Sequence, residues 1–310
     1  LTTLMPRSNN FLSKIERKII GNKLKKISKK SDHDILWISS THIIDIAANL
    51  ISKVKIFDAI DNQLAHRQQQ STFNKKIIRH AYSWAINNAD IIFIASETQR
   101  DIFKPHANIK FLSNGVDNIF FSNYSDVALP NDLVNITRPI IGYCGAIQER
   151  LDTNIVFEIA TRLHDCSFVF IGPILSYNSI SSLTKLKNVY FLGHKKFNKI
   201  PIYLSHVNVA IIPHIVDEFT DSMNPLKLYE YLACGKPVVS TPINGTIQFK
   251  DYLYIAKNPE EFIYSIKKAI DDNSDIRSDN RKKAVEKFSW SLIINECLND
   301  IIRNHLNNIE

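Results

Sequence analysis

The segment Asp221-Ser-Met-Asn-Pro-Leu-Lys-Leu-Tyr-Glu-Tyr-Leu-Ala-Cys-Gly-Lys-Pro-Val-Val-Ser-Thr-Pro242 passes from polar loop to helix to strand in one run. Pro225 stands where a first helical residue is expected, because its fixed φ suits a helix start and its missing N–H leaves nothing unsatisfied. Leu226, Leu228, Tyr229, Leu232 and Ala233 wrap most of the circumference in apolar groups, so the helix is expected to be buried, with Gly235 ending it. Lys236-Pro-Val-Val-Ser240 then reads as a short buried strand. Two charges stand out: Lys227 in the first turn, and Glu230 at i+3 near the same face.

A buried helix entered from a polar loop offers free N–H groups and the positive end of its dipole to an anion. Lys227 adds a full charge suited to a phosphate. Glu230 is costly to bury alone and suits a hydroxyl-rich ligand such as a ribose. The helix is therefore expected to hold a phosphorylated sugar; the other reading is a core helix with one snorkelling lysine and one capped glutamate.

Upstream, Pro139-Ile-Ile-Gly-Tyr-Cys-Gly-Ala-Ile147 reads as a buried strand closed by glycine, leading into a helix from about 153 to 164. Gly145 would let a diphosphate approach the main chain, and Arg150 can pair bidentately with its oxygens. For Arg150 the alternative is a surface residue paired with Asp152. Runs at 166–173, 189–195 and 207–214 continue the strand–helix rhythm, each closing in Gly or Pro, and His214 is open between a structural and a ligand role. Nearer the start, Asp34–Ser39, Val54–Asp58 and Asp90–Ser96 are short apolar runs, with helical stretches near 42–52 and 73–88 between them. That alternation means parallel strands joined by crossover helices, so the class is α/β. Ligands gather at strand ends in such sheets, which makes Asp58 and Asp61, following the strand at 54–57, candidates to orient an acceptor hydroxyl or take its proton. The other reading of each is a helix cap or a solvated loop acid.

At 310 residues the chain accommodates two domains. Its net charge of +7 is uneven: in residues 1–30 nine basic residues face Glu16 alone, giving +8 and leaving −1 for the remainder. A general nucleic-acid binder is excluded on that distribution, since its charge would belong to the folded face. Phe11, Ile15, Ile19, Leu24 and Ile27 recur at near-helical spacing, so residues 10–30 read either as a basic amphipathic helix touching an anionic membrane surface or as an ordinary domain helix with solvated lysines. Cys144, Cys166, Cys234 and Cys297 are scattered among apolar neighbours, as reduced core cysteines and not as a disulfide framework or metal site. No apolar run approaches the roughly 20 residues of a membrane span, and a cytoplasmic protein, peripheral on the inner membrane face, is expected.

With these motifs in view, the chain resembles retaining glycosyltransferases of the GT-B fold, family 4 type (glycosyl transferases group 1), in a branch linked to surface-polysaccharide and teichuronic acid biosynthesis. Asn224-Pro-Leu-Lys-Leu-Tyr-Glu-Tyr-Leu-Ala233 with Gly-Lys-Pro-Val-Val is similar to the nucleotide-sugar helix and strand of that family. Glu230 matches the second glutamate of a Glu-x7-Glu motif, while Ser222 fills the place of the first. Asp217, Glu218 or Asp221 are candidates to replace that acid. Arg150 takes the place of a diphosphate-gripping lysine, Ala146 that of an arginine, and Gly193-His194-Lys195 the position where the main chain reads the base. Asn114-Gly-Val-Asp117 matches the end of the N-terminal domain, and Phe288-Ser-Trp290 the start of the last helix.

The resemblance implies two Rossmann-like domains facing across a cleft: 1–125 on the acceptor side and incomplete, a linker at 126–138, a nucleotide-sugar domain at 139–290, and a helix at 291–310 crossing back. It further implies that roughly the first third of the N-terminal domain is absent. The expected reaction is transfer of a hexosyl unit from a UDP- or GDP-type sugar to a glycan or lipid-linked acceptor, with retention and without a metal or other cofactor. Arg150 and Lys227 carry the catalysis, and Gly145, Lys195, His214, Ser222, Asn224, Leu226 and Glu230 hold the donor. A nucleotide-sugar-binding protein without turnover is the alternative.

Overall fold

The computed structural model describes residues 20–24, 26, 35–48, 50–66, 69, 71–122, 124, 127–271 and 274–306. Of the basic element expected over 10–30, residues 20–24 and 26 are helical and the rest lies outside the described residues. Two compact units result: one from described residues within Leu1–Ile94, Gln99–Phe111 and Cys297–Glu310, the other from Ala95–Thr98 and Leu112–Glu296.

In the first unit β1 (Ile35–Ile38), β2 (Val54–Ala59), β3 (Ile91–Ile94) and β4 (Ile109–Phe111) form a parallel sheet in that order. The Ile-Ile-Phe-Ile run of β3 is buried throughout, as a parallel strand covered on both faces requires. Helix α1 (Thr72–Asn88) is started by Ser71, whose hydroxyl accepts from the Asn74 N–H at 3.2 Å. Its Ile78, Ala81, Tyr82 and Ala85 then bury against Phe57, Ile92 and Ile94. Asp58 does not follow the strand as expected but lies within β2, because pairing with β3 continues through Asp58 and Ala59. Its carboxylate accepts from the Trp37 indole N–H at 3.1 Å; burial pushes it above the ordinary range against that hydrogen bond. Asp61 lies in the bend beyond, and its main-chain carbonyl accepts from the Tyr82 hydroxyl at 3.5 Å.

The second unit holds a six-stranded parallel sheet in the order β10-β9-β8-β5-β6-β7. Its strands are β5 (Ile140–Cys144), β6 (Ser167–Ile171), β7 (Val189–Gly193), β8 (Val209–Ile212), β9 (Val238–Ser240) and β10 (Tyr254–Ile255). The chain runs outward from β5 to β7, then returns to β8 on the other side of β5. Alternate residues of β5 enter opposite cores: Ile141 and Tyr143 join α2 (Thr153–Arg162), whereas Ile140 and Cys144 pack with Leu228 and Tyr231. Residues 112–122 pack in this unit: Phe121 is buried in its core, and the Val116 N–H donates to the Phe288 carbonyl at 2.9 Å. Residues 297–306 pack with the first unit, where Lys110 pairs with Asp300.

Candidate donor site

Reversal of strand order between β5 and β8 places the carboxyl ends of both strands at a topological switch point, where open α/β sheets bind ligands. β5 is followed by Gly145 and β8 by Pro213-His214. The two loops are stitched together: the Ile215 N–H donates to the Arg150 carbonyl and the Asp152 N–H to the Pro213 carbonyl, each at 2.8 Å. Arg150 is thereby fixed beside His214 through its backbone. Asp152 is not its ion-pair partner but the cap of α2, accepting from the N–H groups of Asn154 and Ile155 at 3.1 and 3.0 Å.

The segment before the key helix is not the plain polar loop expected. Asp217 and Thr220 form a reciprocal capping box that starts a short helix, α3 (Glu218–Asp221). Asp221 accepts from the Asn244 N–H at 3.0 Å and its amide at 2.6 Å, tethering α5 (Asn244–Ile247), which follows α4 (Leu226–Ala233). Of the acids considered as replacements for the missing glutamate, two are thus engaged in local structure and Glu218 is exposed. Ser222 is buried, and its hydroxyl donates back to the Phe219 carbonyl at 2.7 Å. Asn224 is buried too; its side-chain amide donates to the Ala95 carbonyl at 3.3 Å and its main-chain carbonyl accepts from the Asn114 amide. Pro225 is the residue before the first turn, not within it, so α4 begins with a half-exposed Leu226 and puts Lys227 second.

Lys227 is only 7% exposed. Its Nζ donates to the Tyr143 hydroxyl at 2.6 Å, lies 3.8 Å from that ring's centroid, and is 3.4 Å from His214 Nε2. No carboxylate among the described residues bonds to it. Burial holds its pKa well below the lysine range, and Arg150 lowers it further. Burial, then Lys227 and Arg150, likewise keep the fully buried His214 far below its ordinary value, hence neutral. Arg150 Nε and His214 Nδ1 are buried without a hydrogen-bond partner among the described residues. One turn beyond Lys227, the half-buried Glu230 is pushed up to about 7 by burial, with Lys227 opposing the shift.

Gly145 completes the floor. With φ of +141°, it lies where a Cβ would sit 2.9 Å from Lys227 Nζ, so only glycine leaves the ammonium over the turn. Gly145, Arg150, His214, Lys227 and Glu230 are therefore brought together. The Lys195 side chain is not part of this group: it donates to Asp132 at 2.6 Å, and Tyr203 donates to the same carboxylate at 2.9 Å. Those hydrogen bonds hold Asp132 below the usual range against burial, and Lys195 correspondingly high. Tyr143 was legible only as core; its signal is the single polar-tipped side chain in Ile-Ile-Gly-Tyr-Cys, two residues before the glycine turn.

Residues 138–272 match the family described as glycosyl transferases group 1. Over 240 residues the chain is 26% identical to TuaH of Bacillus subtilis (strain 168), assigned to teichuronic acid biosynthesis as a glycosyltransferase. The match takes in 74% of this chain and 60% of the relative, so the chain spans about three fifths of that protein's length. Among solved structures, HepE of Anabaena in complex with UDP and glucose superposes with a TM-score of 0.71 at 15% identity, covering 96% of this chain and 84% of that one. Sucrose-phosphate synthase from Thermosynechococcus elongatus gives 0.71 at 16% identity, covering 96% and 82%. The two parallel-sheet units have the GT-B fold of these structures, and residues 138–272 are similar to the glycosyl transferases group 1 family.

Proposed function

We propose that the chain is a glycosyltransferase that moves a hexosyl unit from a nucleoside diphosphate sugar to a hydroxyl of a surface polysaccharide or lipid-linked acceptor, with retention at the anomeric carbon. The observation that carries this reading is the buried Lys227 ammonium, held over the Gly145 turn beside Arg150 with no carboxylate of the described residues bonded to it. A buried cation without a counter-ion calls for an anionic ligand, and a diphosphate leaving group supplies charge that grows as the glycosidic bond breaks. Arg150 and Lys227 take up that charge, which makes a metal unnecessary. Glu230 accepts from the ribose hydroxyls, Gly145 admits the diphosphate, and the main chain at 193–195 meets the base. No side-chain nucleophile is needed where the departing phosphate assists the incoming hydroxyl on the same face. Asp58 and Asp61 are the acceptor-side candidates, and the basic run at 10–30 supports an anionic membrane surface as the place where a lipid-linked acceptor is met. HepE was solved with UDP and glucose, which makes UDP the first nucleotide to test.

Thermal shift against UDP, GDP, ADP and CMP in EDTA tests the donor site. One nucleoside diphosphate should stabilise by about 2.7 kcal/mol at a hundredfold saturation, and incubation of its hexosyl derivative with membrane glycan should release that nucleotide. No shift with any diphosphate, or binding only with added metal, would sink the reading. Donor binding without release favours the non-catalytic alternative, for which Ser222 in place of an acid is the specific support.

Acid should weaken donor binding. A raised folded pKa means that Glu230 carries a proton up to about 7, yet ribose hydroxyls need the carboxylate as acceptor. Binding below pH 7 must then release that proton, so on the acid side affinity falls about tenfold per pH unit well below pH 7. Calorimetry in buffers of different ionisation heat reads the released proton. A flat affinity between about pH 5.5 and 7.5 would remove Glu230 from ribose binding.

A further inference from the structure

We infer that Tyr143 is a positioning residue of the donor site, its hydroxyl fixing the Lys227 ammonium over the Gly145 turn; the inference rests on reading that turn as the diphosphate site. Tyr143 comes from the β5 face that packs against α2, whereas α4 packs on the opposite face. The two side chains can meet only past the strand end, and they do so because Gly145 has no side chain in between. The hydroxyl is fully committed: its hydrogen is donated to the Ala146 carbonyl at 3.2 Å, leaving lone pairs for the Lys227 Nζ at 2.6 Å. A flexible four-carbon stem is thus tied to the main chain of the turn that it serves, with the ring face beneath the ammonium as a second attraction. A phenylalanine would fill the same core volume but could not make this tie.

Charge as well as place is affected. Lys227 faces Tyr143 and Cys144 from β5, Arg150 from the following loop, His214 from the β8 loop and Glu230 on its own helix. Burial and Arg150 disfavour the ammonium, and Cys144 and Glu230 favour it; a hydroxyl that accepts its hydrogen bond, as Tyr143 does, favours the charged form as well. An anionic diphosphate requires the protonated form, so donor affinity should decline on the alkaline side at a pH set partly by Tyr143.

The test is calorimetric titration of UDP from about pH 6 to 10 on the unmodified chain, Tyr143→Phe and Lys227→Ala, using GDP or ADP if UDP is inert. Tyr143→Phe keeps ring and packing, and should bind about tenfold more weakly at pH 8, with its alkaline limb displaced by about one pH unit to lower pH. Unchanged affinity and an unchanged pH profile would overturn the inference, because loss of packing alone does not move a titration. If the unmodified chain binds no nucleoside diphosphate, or Lys227→Ala binds as it does, the diphosphate reading itself fails and takes the inference with it. Should Tyr143→Phe fold poorly, 13Cε-lysine NMR of the unmodified chain decides: a methylene signal moved upfield by the ring, absent in Lys227→Ala, is expected, and an unshifted signal overturns the positioning.

Discussion

Lys227→Met should abolish transfer while leaving the empty protein as stable as before or more so. Removal of one preorganised group facing the developing charge typically lowers turnover by about 10²–10³, and loss of a charge-assisted hydrogen bond weakens nucleotide binding by about 1.5–3 kcal/mol. Stability moves the other way. Burial holds the folded Lys227 pKa well below that of the unfolded chain, so at neutral pH folding works against a bound proton. A depressed basic pKa means that this penalty is fully present below the folded value and fades as pH rises through it toward the unfolded one. Methionine fills the same space without the charge, so the variant should melt no lower than the unmodified chain near pH 7, and the difference between them should shrink toward pH 10. A variant that melts several degrees lower and retains transfer would make Lys227 a structural residue.

That opposition between stability and function is what the sequence made visible at α4. Apolar residues on most of the circumference predict burial, and Lys227 then violates the pattern, which is how local rules fail at working sites. Glu230 was found in the same way. The strands were equally legible, because β3 and β5 are continuous apolar runs that only a covered parallel sheet accommodates. Less legible was anything decided by side chains meeting from different elements. Asp217 and Asp221 are indistinguishable from donor-site acids in sequence; the structure shows one as a helix cap and the other holding Asn244. Nor does the sequence show that the Lys195 ammonium is held by Asp132, more than 60 residues earlier. Tyr143 was hidden for the same reason. Its ring satisfies the strand pattern, and only the path of Lys227 across Gly145 shows what the hydroxyl does.

Replacing Gly172 with alanine should cost as much donor binding as removing a charged group, although no ligand is expected to touch it. The carboxyl end of β6 lies against that of β5: the Gly145 N–H donates to the Ile171 carbonyl at 2.8 Å, and the Gly172 N–H to the Gly193 carbonyl at 2.9 Å. A Cβ on Gly172 would stand 2.1 Å from the Gly145 carbonyl oxygen and 2.7 Å from its carbon, both main-chain atoms that no rotamer can move aside. The φ of +147° adds strain of about 1–3 kcal/mol for any other residue. Relief must come from displacing the Gly145 carbonyl, and with it the turn over which Lys227 is stretched to Tyr143. A misplacement of about 1 Å can cost 10²-fold in a positioned site, so Gly172→Ala is expected to lose nucleoside diphosphate binding by about that factor. Gly235→Ala is the control: it also has positive φ, +67°, but its added Cβ meets only the Ser278 and Lys282 side chains, at the far end of α4 from Lys227. It should bear strain away from the Gly145 turn and retain most of the affinity. Equal nucleotide affinity in both variants, measured by calorimetry on folded protein, would mean that the packing of Gly172 on Gly145 does not set the geometry of the donor site.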